Sequence, residues 1–248
     1  MKISTINSYN KNTVSFSSGL YSVQRKFINN LDTVDIAQKI QKDYGIKCDF
    51  ADNKIVAGLC AKTLKIFKKL GLNLPNKIFV EKFPYFKRKI MAQSRFHLDT
   101  ECDNYIRFNT RFFNGSVDSL NEFVDQKESF LGSKHILNPF IHEFLHIHHG
   151  HQLNKNFNNY LSTTYIVIPK KFHTEIEEKI AEYGSIDYQE LYSTYYAKEI
   201  CNALNQKWQL NYNPFENPKI NLSTELREYV NALENPQKLL RLIYENIG

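Results

Sequence analysis

Three features that would assign this 248-residue chain to a specialised class are missing from its sequence. Its four cysteines, Cys48, Cys60, Cys102 and Cys201, are widely scattered, which argues against a disulfide framework, a cysteine metal cluster and a catalytic cysteine dyad. No stretch approaches the roughly 20 apolar residues of a membrane span. No apolar run after Met1 resembles a secretory signal, so we expect a cytoplasmic protein, unless it is exported by a route that the sequence does not display.

The length is sufficient for a sizeable core in one large domain or two small ones. Residues 1–29 are rich in Ser, Asn, Thr and Lys and show no sustained periodicity, which predicts a flexible N-terminal tail. The remainder, 30–248, is expected to form the folded domain. Within it we expect a helix-and-sheet half over 30–152 and a helical half over 153–248. No internal repeat is visible.

Hydrophobic periodicity and capping signals predict the order of the elements. The predicted helices are Thr33–Tyr44, one capped by Asp52 and ending at Gly71, Val117–Phe130, 138–149, one beginning at Asp187, and one or two over 223–247 broken near Pro236. The predicted strands are Ile46–Phe50, Lys77–Glu81, Ile90–Phe96 and Asn104–Asn109. This order predicts an α+β fold with a small mixed sheet followed by a helical C-terminal half.

Acidic residues are scarce in one region. Between Lys54 and Arg95 there are eleven basic residues and one acidic residue, Glu81, in a chain of net charge +6. A functional interpretation is an anionic partner, which could be a nucleic acid, an acidic protein or a membrane surface. The simpler interpretation, which we favour from sequence, is a solvated lysine face. No nucleic-acid-binding motif accompanies the basic residues, so nucleic acid is not the partner we expect.

The most informative segment is His142-Glu143-Phe144-Leu145-His146, which has the pattern HExxH. Residues four apart on a helix lie about 40° apart around its axis, so both imidazoles can reach one metal ion. Glu143 would then lie beside the attacking water as a general base. Asn138-Pro139 is typical of a helix start and Gly150 of a helix end. The alternative is a histidine-rich amphipathic helix whose imidazoles are solvated or bonded in the core.

Neighbouring histidines do not complete a metal site by the metzincin pattern, which needs a glycine three residues after the second histidine and a histidine three further on. Those positions hold His149 and Gln152. His149 shares a helical face with the HExxH histidines, but it is too far along a straight helix to ligate the same ion. We expect it to support the ligands at most, and we expect His148 and His151 at the surface.

Glu190 is the predicted third ligand. It lies near the start of a helix on which Thr194, Ala197 and Cys201 share its stripe, and these small residues would allow close packing against the HExxH helix. The alternative is that Asp187 and Glu190 form a capping box with no metal role. Other carboxylates compete as ligands: Glu175, Glu177, Glu178 and, most credibly, Glu182.

Tyr183 and Glu190, inside a Tyr-Gly-x-x-Asp-x-x-Glu run, together with the HExxH segment resemble the gluzincin metallopeptidases of the anthrax lethal factor type. The resemblance covers about Ile90 to Asn205. It implies a zincin-like fold with zinc held by His142, His146 and Glu190. It also implies Glu143 as general base and Tyr183 as stabiliser of the oxyanion. The family commonly has a second glutamate four residues after the ligand, where this chain has Thr194.

The expected function is therefore a zinc-dependent endopeptidase acting on a protein or peptide. A His₂Glu site would also accept cobalt or manganese. By similarity, an edge strand near Met91-Ala92-Gln93-Ser94 would bind extended substrate by strand addition, the alternative being an ordinary hairpin. Two other hypotheses remain: a catalytically silent zincin fold that binds an anionic partner through its basic residues, and an accessory DNA-linked protein in which HExxH is accidental.

Overall fold

Seven helices and a four-stranded mixed sheet make up the part of the chain that the computed structural model describes, namely residues 32–96, 104–126, 133–155, 188–206 and 236–247. The helices are α1 (Thr33–Tyr44), α2 (Lys54–Leu70), α3 (Thr110–Phe113), α4 (Val117–Gln126), α5 (Asn138–Lys155), α6 (Tyr188–Gln206) and α7 (Pro236–Ile247). The strands are β1 (Lys47–Asp49), β2 (Lys77–Glu81), β3 (Ala92–Arg95) and β4 (Tyr105–Asn109). The predicted α+β class and small mixed sheet are confirmed.

The sheet has the strand order β1-β2-β4-β3. β1, β2 and β4 are parallel, with Lys77 in register with both Lys47 and Tyr105. β3 runs antiparallel to β4, and Ser94 pairs with Ile106. β3 is therefore an edge strand within the described sheet, and it packs against α5. The edge position predicted for this segment is confirmed.

The first two described helices, α1 and α2, have the capping residues that their sequences predict at the start of α1 and at both C-terminal ends. The side chain of Asp32 caps α1 by accepting hydrogen bonds from the backbone of Val34 and Asp35. Gly45 and Gly71 follow α1 and α2 in the left-handed conformation, with φ of 74° and 66°, which glycine adopts without steric cost.

One predicted cap was wrong, because α2 is capped by Asn53 and not by Asp52. The Asn53 side chain accepts from the Val56 N–H at 3.0 Å and donates to the Phe113 carbonyl at 3.1 Å. The second contact is long-range, so local sequence did not favour Asn53 over its neighbour. Asp52 instead adopts φ of 58° in the turn before the helix.

Helix α5 runs through the centre of the core. Phe144 packs edge-on against Phe67 of α2 with ring centroids 5.3 Å apart, and Phe140 stacks on Phe108 of β4 at 4.8 Å. Ile141 and Leu145 are also fully buried. Because α5 is covered on several sides, its apolar residues surround the axis instead of forming one stripe. This burial fixes the orientation of the HExxH segment.

Gly150 does not end α5, contrary to the prediction, since the helix continues to Lys155. The ring of Phe96, just after β3, occupies the space in which a Cβ at position 150 would lie. The glycine is thus required for close packing of the β3 end against α5, although it costs about 1 kcal/mol of helix propensity relative to alanine. Its role is tertiary, which a helix-end signal in the sequence does not distinguish.

Most other boundaries agree with prediction to within a few residues. Thr33–Tyr44 and Lys77–Glu81 are observed as predicted, and Pro236 begins α7. Of the 30–248 domain, only the ranges given above are described. The predicted tail over 1–29 and the helix predicted before Pro236 lie outside the described residues, so both stay predictions. None of the described helices combines the length and apolarity of a membrane span.

The described cysteines are free thiols, as expected from their spacing: Cys48, Cys60 and Cys201. Burial raises the pKa of Cys48 and of Cys201 to about 12 and the pKa of Cys60 well above its ordinary value. These thiols are therefore protonated and unreactive at neutral pH. Cys102 lies outside the described residues.

Candidate metal centre

Three potential metal ligands converge at the contact between α5 and α6. His142 Nε2 lies 3.0 Å from Glu190 Oε2, His146 Nε2 lies 3.0 Å from His142 Nε2, and His146 Nε2 lies 3.3 Å from Glu190 Oε2. The two histidines come from successive turns of α5 and Glu190 comes from the first turn of α6. The structure thus brings together the three residues that were predicted as ligands.

The size of this triangle suits a small divalent cation. Two ligands about 2.0–2.1 Å from zinc at the tetrahedral angle are about 3.3 Å from each other. The observed edges of 3.0, 3.0 and 3.3 Å are close to that value. Two imidazole nitrogens and one carboxylate oxygen are also the ligand set of a hydrolytic zinc site, which keeps a fourth position open.

The three side chains are partly exposed to solvent. The exposed fractions of the His142, His146 and Glu190 side chains are 11%, 12% and 23%. Burial raises the pKa of Glu190, but hydrogen bonds from His142 and His146 and their charge outweigh burial, so the pKa lies below its usual range. Glu190 is therefore ionised at neutral pH and provides a negative charge for a cation. Its predicted alternative role was a capping box with Asp187, which lies outside the described residues.

Thr194 lies one turn after Glu190 and approaches the His142 imidazole at Nδ1, the ring nitrogen opposite the one that faces Glu190. Its Oγ1 lies 3.4 Å from His142 Nδ1. With a cation bound, Nδ1 would carry the proton and donate to Thr194, which would leave the Nε2 lone pair for the cation in place of the hydrogen bond to Glu190. Thr194, Ala197 and Cys201 are buried, and α6 packs closely along α5 through this stripe, as their small size predicted.

Glu143 faces the edge strand. Its carboxylate accepts hydrogen bonds from both the backbone N–H and the hydroxyl of Ser94 in β3. Burial raises the pKa of Glu143 to about 7; His142 and the Ser94 bonds oppose the rise, and the charge of Glu190 adds to it. A carboxylate with such a pKa is suited to accept and return a proton near neutral pH. The contact with Ser94 was not foreseen from the sequence, whose only signal was the predicted edge strand.

The other histidines of α5 do not join the cluster. His149 is buried and stacks on Tyr192 with ring centroids 4.0 Å apart, and burial lowers its pKa to about 3. His148 was predicted at the surface, and this was wrong. It is buried, and its Nδ1 lies 3.0 Å from Asn73 Oδ1 and accepts a hydrogen bond from the Asn73 backbone N–H with an N···N distance of 3.2 Å, which links α5 to the turn after α2. His151 is half-buried, with Nε2 3.0 Å from Asn104 Nδ2.

Tyr183, the predicted oxyanion stabiliser, lies outside the described residues, as do the rival carboxylates Glu175, Glu177, Glu178 and Glu182. Among the described histidines, cysteines and carboxylates, His142, His146 and Glu190 form the one group of three whose ligand atoms all lie within 4.8 Å of one another. Comparison of the chain with models of protein families, with curated proteins and with solved structures found no match.

Proposed function

We propose that this protein is a zinc-dependent endopeptidase of the zincin type. The observation that supports it most is the convergence of His142, His146 and Glu190 next to Glu143, whose carboxylate is held by Ser94. A structural histidine cluster needs no carboxylate beside it. A hydrolytic metal site needs a general base next to the attacking water, and Glu143 occupies that place. The resemblance to the lethal factor type gluzincins adds Tyr183 to the proposed set.

Each residue has a separate role in the proposed reaction. Zinc, when bound, supplies Lewis-acid activation of a water molecule and of the scissile carbonyl. Glu143 takes a proton from the attacking water and delivers it to the leaving amine nitrogen. Ser94 keeps the Glu143 carboxylate in place, and Thr194 orients His142. Tyr183 would donate a hydrogen bond to the oxygen that becomes negatively charged.

The edge strand gives a way to hold the peptide. The register with β4 and the hydrogen bond from Asn109 N to Met91 O place the Met91 backbone toward β4. Because backbone groups alternate in direction along an antiparallel strand, those of Ala92 and Ser94 face away from β4, and Ser94 N–H indeed reaches Glu143. Because Glu143 takes the Ser94 N–H, the Ala92 backbone and the Ser94 carbonyl are the edge groups with which an extended substrate would pair, next to the candidate metal centre.

The first test is metal content by mass spectrometry on wild type and Glu190→Ala, purified side by side. We expect about one zinc per wild-type chain and a large loss in the variant, because a two-histidine site lacks its third ligand. Zinc retained equally in both would move the third ligand elsewhere. No zinc in the wild type, even after reconstitution, would contradict the proposal.

The second test is cleavage of a peptide library by wild type and by Glu143→Gln, which keeps the shape of the side chain but cannot act as a base. We expect cleavage by the wild type and loss of at least about a hundredfold in the variant. The alternative function is a catalytically silent zincin fold that binds an anionic partner. It is favoured by Thr194 in place of the family glutamate, and it predicts bound zinc with no cleavage that depends on Glu143.

A further inference from the structure

Two aromatic side chains project from the surface in the middle of the basic region. Tyr85 and Phe86 are 77% and 80% exposed, and they form a single 3-10 turn between β2 and β3. We call this pair the aromatic tip and the surrounding residues 82–90 the tip loop. Exposure of two adjacent large apolar side chains is unfavourable unless a partner covers them.

The tip loop is held in one conformation at its base. Phe83 is buried beneath it, with the Arg107 guanidinium 5.2 Å from its ring centroid. Asn109 of β4 donates from its side chain to the Ile90 carbonyl at 2.9 Å. Within the loop, the N–H groups of Lys87 and Ile90 donate to Pro84 and Lys87 carbonyls at 2.9 and 3.0 Å. The aromatic tip is therefore presented by an ordered loop, which lowers the entropic cost of binding.

The charge around the tip is positive. Lys82, Lys87, Arg88 and Lys89 belong to the loop, and the Arg88 guanidinium lies 4.2 Å from the centroid of the Tyr85 ring. A surface pocket of about 620 Å³ beside the tip is lined by Lys82, Arg88 and Arg111 together with Phe83 and Tyr85. No carboxylate is among its described lining residues. The neighbouring Glu81 is paired with Arg107 at 2.9 Å.

We propose that the tip loop is a contact for an anionic membrane surface. Aromatic rings are favoured at the boundary between headgroups and acyl chains, and lysine and arginine beside them attract anionic headgroups. The basic pocket beside the tip would receive a headgroup phosphate. A single-stranded nucleic acid needs free ring faces along a basic groove. Here Arg88 covers one face of Tyr85, and the rings project outward. This inference does not depend on the proposed peptidase activity.

The test is sedimentation of the full chain with vesicles of phosphatidylcholine alone and with vesicles that also contain an anionic phospholipid. We expect binding to the anionic vesicles only, weakened by salt. Lys82→Gln/Lys89→Gln should reduce binding about 25-fold, since each basic residue near an anionic surface contributes about fivefold. The matched control, Lys65→Gln/Lys69→Gln, removes the same charge from exposed positions on α2 and should bind like wild type.

The aromatic contribution is tested with Tyr85→Ala/Phe86→Ala, which should lose most binding while its circular dichroism and melting temperature stay at wild-type values, because neither ring is part of the core. Four outcomes would overturn the proposal. Two concern the vesicles: no binding to anionic vesicles, and an equal loss of vesicle binding in the two double-lysine variants. The other two are self-association that depends on the aromatic tip, and salt-sensitive binding of a single-stranded oligonucleotide that needs the tip while vesicles remain unbound.

Discussion

Thr194 and His142 meet at the imidazole nitrogen that points away from the candidate metal centre. Thr194 Oγ1 lies 3.4 Å from His142 Nδ1, while His142 Nε2 lies 3.0 Å from Glu190 Oε2. One helix, α6, therefore supplies both a proposed ligand and, four residues later, a hydroxyl next to a second proposed ligand.

Thr194→Val should weaken zinc binding about 10- to 100-fold, because the valine has the same shape but offers no acceptor for His142 Nδ1–H. The measurement is a zinc titration against a competing chelator. Thr194→Ser keeps the hydroxyl and should remain near wild type. Wild-type affinity in the valine variant would show that Thr194 does not orient His142.

Ser94→Ala should lower kcat about tenfold with little change in KM or zinc content, because a hydroxyl bond to the Glu143 carboxylate is lost while the backbone N–H bond remains. Steady-state kinetics on a cleaved peptide provide the measurement. Arg95→Ala, a change at the exposed neighbour on the same strand, is the control. A fall in zinc content in Ser94→Ala would instead indicate that Ser94 supports the metal site as a whole.

Gly150→Ala should destabilise the fold by about 1–3 kcal/mol, because the new Cβ would overlap the Phe96 ring. Urea unfolding gives the free energy of unfolding. In a Phe96→Ala background the same change should be neutral or stabilising, since alanine has the higher helix propensity. An increase in stability of Gly150→Ala alone would show that Phe96 does not pack against α5.

Ionisation of the buried Glu199 carboxyl should lower the free energy of unfolding as pH rises. It is fully buried and accepts a hydrogen bond from the Tyr244 hydroxyl at 2.6 Å, which joins α6 to α7. Burial raises its pKa, opposed in part by Lys198 and by the Tyr244 bond. The folded state thus binds the Glu199 proton more tightly than the unfolded state. The resulting contribution to the free energy of unfolding is complete below pH about 4.5, the ordinary pKa of glutamate, and is lost as pH rises through the folded-state pKa.

Glu199→Gln cannot ionise, so it should lack this pH-dependent decrease in stability. The free energy of unfolding of the variant minus that of wild type should therefore increase between acidic and mildly alkaline pH. Urea unfolding at a series of pH values measures the difference. Glu122→Gln, at an exposed position on α4, is the control for loss of a carboxylate. A difference between Glu199→Gln and wild type that does not vary with pH would contradict the prediction.

Local interactions explain why much of the fold could be predicted. Helix α1, strand β2 and the start of α5 follow from periodicity and from caps within a few residues, and the spacing of His142 and His146 follows from helix geometry alone. Thr194, Ala197 and Cys201 were predicted to face α5 because, apart from Glu190, their helical stripe carries only small residues. Each of these features depends on residues close together in sequence.

Other features depend on residues far apart in sequence and were decided only by the tertiary structure. Glu190 is 48 positions from His142, and it is the packing of α6 on α5 that brings the two side chains together, while its rivals Glu182 and the capping box with Asp187 lie outside the described residues. Three other contacts have no distinguishable pattern in the sequence. They are the contact of Ser94 with Glu143, the burial of His148 on Asn73 and the packing of Phe96 over Gly150.

The sequence by itself thus determined which chemical groups are available and how they are spaced along a helix. The three-dimensional path of the chain decided which of them meet, because a long-range contact depends on how whole elements pack and not on the identity of neighbouring residues. The packing of α6 along α5 is what brings Glu190 and Thr194 to His142. The packing of β3 against α5 is what brings Ser94 to Glu143.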